Sequence, residues 1–108
     1  MKQHRYRITV DHLQDPGGNP VTRAPLTFEV GNHDDIFAIV ERMRGRGDFD
    51  PETAIAFAVG LKLFSETMLE HRDHPLFTEF RPHFQQFMKH LKRGPVQPGE
   101  APAEPDTP

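Results

Sequence analysis

The feature that most constrains this chain is a change of hydrophobic period near Asn32. Before it, apolar residues recur at every second position: Tyr6, Ile8 and Val10, then Ala24, Leu26, Phe28 and Val30. Successive side chains point to opposite faces of a strand, so a period of two marks two half-buried strands. After it the spacing becomes three and four. Ile36, Phe37, Ile39, Val40 and Met43 form one such group; Phe57, Leu61, Phe64 and Met68 form a second; Phe77, Phe80, Phe84, Phe87 and Leu91 form a third. Steps of three and four stack side chains along one face of an α-helix. The expected fold is α+β: an N-terminal two-stranded antiparallel β-hairpin, then three α-helices.

The punctuation agrees with the periods. "QDPGGNP" between the strands is dense in turn formers, and Pro25, lacking an N–H, belongs at a sheet edge or a strand start. Asn32 is suited to cap the first helix, with Asp34 and Asp35 in its first turn, Arg42 and Arg44 near its end, and Gly45 or Gly47 closing it. Asp50 caps the second helix, Pro51 takes its first position and Glu52 sits in its first turn. That helix is apolar on much of its circumference, which places it at the centre of the fold. Pro75 starts the last helix, and Pro82 removes an N–H and crowds the preceding turn, so this helix is expected to be kinked or split there.

A chain of 108 residues is expected to make one domain, here over residues 1–93. From Gly94 onward, five of 15 residues are proline and Val96 is the lone strongly apolar side chain. Residues 94–108 are therefore expected to be an extended, disordered tail. A lone two-stranded hairpin is marginal in water and leaves its outer edges unpaired. Pairing of hairpins between two copies, or pairing of helices through the phenylalanine seam, would resolve that, so self-association as a homodimer is expected.

Composition excludes several functions. With no cysteine there are no disulfides, thiolate nucleophiles or sulfur-ligated zinc sites. The longest apolar stretch, Ala54 to Phe64, has 11 residues and contains Lys62, too short for the roughly 20 a membrane span needs. No signal peptide is read at the N-terminus, and a cytoplasmic location is expected. All 13 basic residues lie between Lys2 and Arg93 together with 13 acids; Glu100, Glu104 and Asp106 supply the whole net charge of -3. A neutral body is a poor general binder of polyanions.

The stretch "LEHRDHPLF" sets His71 and His74 three apart, with Glu70 and Asp73 beside them. Imidazoles and carboxylates ligate divalent metals, and Glu70, His71 and His74 form the one candidate metal site. The plainer reading explains every residue. His71 suits a helix C-terminus, Asp73 or His74 caps the next helix, and Pro75 begins it. Among the other histidines, His83 and His90 can share a helix face beside the phenylalanine seam, and rim positions are the plain reading for all of them. "GDFDPET" starts like a calcium loop but has Thr53 at the sixth position and Val59 at the twelfth, so it is a helix cap. "RGD" at Arg46 to Asp48 is a chance tripeptide. Ser65, the single serine, sits mid-helix without a nucleophile elbow. Asp34 and Asp35 are adjacent and diverge on a helix. No catalytic constellation emerges, and the chain is read as no enzyme.

A basic surface is conceivable from Arg5 and Arg7 on the outer face of the hairpin, with Arg42, Arg44 and Arg46 at the end of the first helix. Asp11 and Glu29 share the hairpin's outer face and oppose that reading.

Four strings carry a resemblance: "HRYRITVDHL", "PLTFEVGNHDDIFAIVERMR", "GLKLFSETMLEHRDHPLF" and "FMKHLKRGP". Together they cover most of His4 to Pro95, and they resemble domain-of-unknown-function family 3861, a group of short bacterial proteins. The resemblance implies a small single-domain α+β protein and supplies no catalytic residue. The function expected is a non-catalytic binding or interaction module, self-associating or engaging a protein partner, with Arg5, Arg7, Arg42 and Arg44 as the candidate surface and without a cofactor. Binding of a divalent metal at Glu70, His71 and His74 is the alternative. Weak nucleic-acid binding through the basic hairpin face is a further one.

Overall fold

The computed structural model describes residues 2–94; the tail expected beyond Gly94 lies outside them. The chain divides into two compact units, one ending at Asp35 and the other beginning at Ile36.

The first unit is the hairpin. β1 (His4–Val10) and β2 (Leu26–Asn32) pair antiparallel. The register sets Tyr6 opposite Val30, Ile8 opposite Phe28 and Val10 opposite Leu26, so these six side chains share one face. Arg5, Arg7 and Thr9 oppose Gly31, Glu29 and Thr27 on the other. Pro25 directly precedes β2, where its missing N–H leaves the ladder intact.

The long connection is a tight structure of its own. The Asp15 carboxylate accepts from the N–H groups of Gly17 and Asn19, both at 2.9 Å. The Asp15 N–H donates to the Asn19 carbonyl at 2.9 Å, and that of Val21 to the Leu13 carbonyl at 3.1 Å. Gly18 takes φ +87, which glycine adopts without strain. These bonds hold the Asp15 carboxyl below its ordinary range, the Asn19 backbone N–H first among them.

At the other end of the ribbon, Asn32 is 1% exposed and its Oδ1 accepts from the Asp34 N–H at 2.9 Å. The Tyr6 hydroxyl donates to the Asp34 carbonyl at 3.1 Å. Asn32 thus makes a turn within the hairpin unit. The first helix begins later than its sequence suggests: α1 spans Ile36–Gly45, with no acid in its first turn. Asp34 and Asp35 lie ahead of it, because the ladder runs on to Asn32 and the side-chain bond to Asp34 fixes the turn that follows.

The second unit is helical. α2 (Pro51–Glu70) starts as its sequence dictates: Asp50 accepts from the Thr53 N–H at 3.3 Å and the Thr53 hydroxyl at 2.6 Å, and Pro51 follows. Ala54 and Ala58, both 0% exposed, are one turn apart and let α1 approach closely; Met43 and Leu61 complete the buried cluster. Ile39, Val40, Phe57, Phe84, Met88 and Leu91 pack around it. Burying side chains such as Met43 and Leu61 contributes about 1.5–3 kcal/mol each.

The last helical segment is split. α3 (Pro75–Thr78) and α4 (Arg81–Lys92) are separate helices. Pro82 is the second residue of α4, where no intrahelical partner exists for an N–H, so it begins a helix rather than kinking one. Seven of the nine phenylalanines join in one chain of rings. Phe49 meets Phe57, Phe57 meets Phe87, Phe87 meets Phe84, Phe84 meets Phe64, and Phe64 also meets Phe77 and Phe80. Centroid separations of 5.5 to 6.3 Å with mostly steep interplanar angles are the favoured edge-to-face geometry. α2 supplies Ala54, Ala58, Leu61 and Met68 to the core, as its apolar circumference led one to expect, while Phe64 is 41% exposed and Ile55 and Leu69 are also exposed. The rings seam helix to helix. Among the described residues, no helix is long and apolar enough to cross a membrane.

Candidate functional site

The helical unit holds a cleft of about 340 Å³ between the C-terminal ends of α1 and α4 and the middle of α2. Ile39, Met43, Leu61, Met88 and Leu91 form its floor and walls, and Arg42, Arg46, Lys62 and Lys92 stand around it. No aspartate or glutamate lines it. The size lies at the low end of the roughly 300–1,000 Å³ seen for small-molecule pockets.

Arg46 organises one wall. Its guanidinium donates twice to Asp48, Nη2 to Oδ2 at 2.8 Å and Nε to Oδ1 at 3.1 Å, while Nη1 donates to the Leu91 carbonyl at 2.7 Å. The side chain is only 16% exposed. One cation therefore ties the segment after α1 to the end of α4, and Gly47 at φ +83 makes the turn that brings Asp48 back beneath it. The Arg46 guanidinium holds the Asp48 carboxyl below its ordinary range.

The arginines expected to form a basic surface fall on both units. Arg5 and Arg7 lie on the outer face of the hairpin, and both reach Glu29, at 3.5 and 3.0 Å. Glu29 thus divides itself between two cations and lowers the charge of that face. Arg44 pairs with Glu41 one turn away at 3.3 Å. Arg42 alone of the four lines the cleft.

In the histidine turn, Glu70 is the last residue of α2 and exposed. His71 is the C-cap, and its Nδ1 sits 2.9 Å from the Thr67 carbonyl, an arrangement in which Nδ1 carries the proton. His74 is the N-cap of α3: its Nδ1 accepts from the Leu76 N–H at 3.1 Å, and its ring rests on Phe77. That bond puts the His74 proton on Nε2, so the ring offers no outward lone pair while it caps. Arg81 donates to the Arg72 carbonyl and closes the same turn. Among the described residues, no group of three or more histidines, aspartates or glutamates is arranged to hold a metal ion.

Sequence reasoning did not find the cleft. Its walls come from three helices far apart along the chain. Arg46 read as part of a tripeptide and of the basic cluster ending the first helix, and Lys62 only as a break in an apolar run. That break was the available signal, since a lysine in the middle of an apolar helix marks where the apolar surface meets an opening.

No curated protein matches the chain. Its structure is similar to the crystal structure of a protein of unknown function from Pectobacterium atrosepticum, with 41% identity over 85% of this chain and 99% of that one, and a TM-score of 0.74. Residues 4–93 match the model of the family described as Domain of Unknown Function with solved-structure structure (DUF3861). With nearly the whole described region covered, hairpin and helices together, the chain belongs to that family.

Proposed function

We propose that the protein is a non-catalytic interaction module whose hairpin associates with the hairpin of a second copy. The observation that carries this reading is an exposed apolar end on a ribbon of only two strands. Val10 is 52% and Leu26 63% exposed, and Leu13 and Phe28 are exposed as well. Among the described residues no third strand pairs with either edge. Clustered apolar side chains beside unpaired strand edges mark an association surface.

The charges favour one edge. β1 carries His4, Arg5 and Arg7, which would meet their own kind across a two-fold axis. β2, "LTFEVGN", carries Glu29 as its single charge. A two-fold axis at Phe28 sets Phe28 against Phe28, Leu26 against Val30 and Glu29 against Thr27, which makes a four-stranded sheet with an aromatic pair at its centre. A non-catalytic reading is further supported by Ser65, whose hydroxyl donates to the Lys62 carbonyl at 3.5 Å within its own helix.

Sedimentation equilibrium of the full chain tests the reading. A dimer mass that Phe28→Glu and Leu26→Glu each convert to a monomer, with far-ultraviolet circular dichroism unchanged, is expected. A wild-type monomer at the highest soluble concentration, or a dimer indifferent to both substitutions, would overturn it.

A further inference from the structure

We propose that the cleft between α1, α2 and α4 binds a free single-chain alkyl carboxylate, with its hydrocarbon against the floor and its carboxylate at the cationic mouth. The site lies wholly in the helical unit and is independent of hairpin association.

The floor dictates an apolar body. Ile39, Met43, Leu61, Met88 and Leu91 present hydrocarbon and two thioether sulfurs, with no side-chain donor. Met43 and Met88 are unbranched and adapt to a flexible chain. A compact polar anion would strip its own hydration against such a floor and recover nothing.

The mouth dictates an anionic head, provided the cations do more than offset helix dipoles. Arg42 is in the last turn of α1 and Lys92 in the last turn of α4, where basic residues commonly complement the negative helix end. The magnitudes decide. Arg42, Arg46 and Lys92 bring three positive charges against the one negative charge of Asp48, and Lys62, whose interactions lie within the protein, is left out of the count. Two helix C-termini add roughly half a negative charge each, which leaves about one positive charge at the opening. Arg42 and Lys92 have no ion-pair partner among the described residues. The wall is also fixed in advance: the three bonds of Arg46 to Asp48 and Leu91 hold the ends of α1 and α4 at their spacing.

A carboxylate is favoured over a nucleic-acid backbone because the cations ring one hole instead of lining a track, and the outer hairpin arginines share Glu29.

The test is a two-dimensional amide NMR titration of the full-length protein with decanoate below its micellar concentration. Decanol serves as the neutral control and anionic phospholipid vesicles as the control for a membrane source. Saturable shifts centred on Ile39–Arg46, Leu61–Lys62 and Met88–Gly94 are expected, with decanol binding weaker. The exposed pair R42Q/K92Q should bind decanoate about fivefold to thirtyfold more weakly, as expected for loss of two exposed charge contacts. The same spectra show whether that variant is folded. Any of the following would overturn the proposal: no saturable shift, shifts confined to the hairpin, decanol binding as tightly as decanoate, undiminished binding in folded R42Q/K92Q, or a response to vesicles alone.

Discussion

The two units are stabilised by different physics. Every buried hydrophobic side chain among the described residues, namely Ile36, Met43, Ala54, Ala58, Leu61 and Met68, belongs to the helical unit. The hairpin unit has one buried side chain, and it is polar: Asn32. The helices therefore rest on area removed from water and on ring-to-ring packing. The hairpin rests on its ladder, on the carboxylate that ties its loop, and on the Asn32 and Tyr6 bonds at its base. Hydrogen bonds contribute only about 0.5–1.5 kcal/mol net apiece. A ribbon held mainly by them gains much from a partner surface, and a packed helical unit gains less. The two proposed roles follow this difference: a helical unit with a cleft, and a hairpin that gains from a partner.

The comparison breaks first, if it breaks, at Leu61. Leu61→Ala removes a nearly buried side chain between α1 and α2. It should cost about 2–5 kcal/mol, read as a lower urea midpoint. Val10→Ala, on an exposed ribbon position, should change the stability of the monomer by no more than about 0.5 kcal/mol. Equal losses would mean that the hairpin carries as much packing as the helices, and the contrast would fall.

A second, smaller effect tests whether the ring chain is structural despite its exposure. Phe64 meets Phe77, Phe80 and Phe84 edge-on. Each such pair contributes about 0.5–1.5 kcal/mol beyond area, so Phe64→Ala should cost about 2 kcal/mol even though the ring is half in water. In hydrogen exchange, the loss should concentrate in α3 and α4, which the ring connects to α2, and spare α1. A loss spread evenly over all helices would show that Phe64 acts as one more core residue and not as a tie.

How much of this was legible follows from how local each cause is. The change of period separates strands from helices because it is a property of neighbouring residues. The Asp50–Pro51 and His74–Pro75 starts are legible for the same reason, since each needs only the three residues after it. The onset of α1 was misplaced because the Asn32 side chain bonds Asp34 and postpones the helix, and a capping residue and a turn residue look alike in sequence. The buried side of α2 was legible only in part: Leu61 and Met68 of the expected stripe are buried, but Phe64 is exposed. The helix is apolar nearly all round, and the choice falls to Ala54 and Ala58, whose small size admits α1. The cleft was hidden most completely: Arg46 reaches its partner carbonyl on Leu91 across 45 positions of chain.

The smallest expected effect separates the units by pH. The Asp15, Asp48 and Asp50 carboxyls all titrate below their ordinary value of 3.8, held there first by the Asn19 backbone N–H, the Arg46 guanidinium and the Thr53 hydroxyl respectively. A group depressed in the folded state stabilises the fold above its unfolded value and ceases to do so as pH falls through its folded value. The contribution of these three carboxyls should thus be constant well above 3.8, and its loss should weaken both hairpin and helices below it. They should not weaken equally. Protonating Asp15 loosens the loop of a unit with no apolar core, so its opening is local, whereas Asp48 and Asp50 sit on a unit whose buried cluster still holds it. On acidification, the hairpin amides should lose hydrogen-exchange protection before those of α2. Asp15→Asn keeps an acceptor at that place but removes the charge, so the acid-dependent part of the hairpin's loss should disappear while that of α2 remains. An Asp15→Asn hairpin that follows the same acid profile as the wild type would place the sensitivity elsewhere, and would show that the loop carboxylate is not what holds the ribbon's far end.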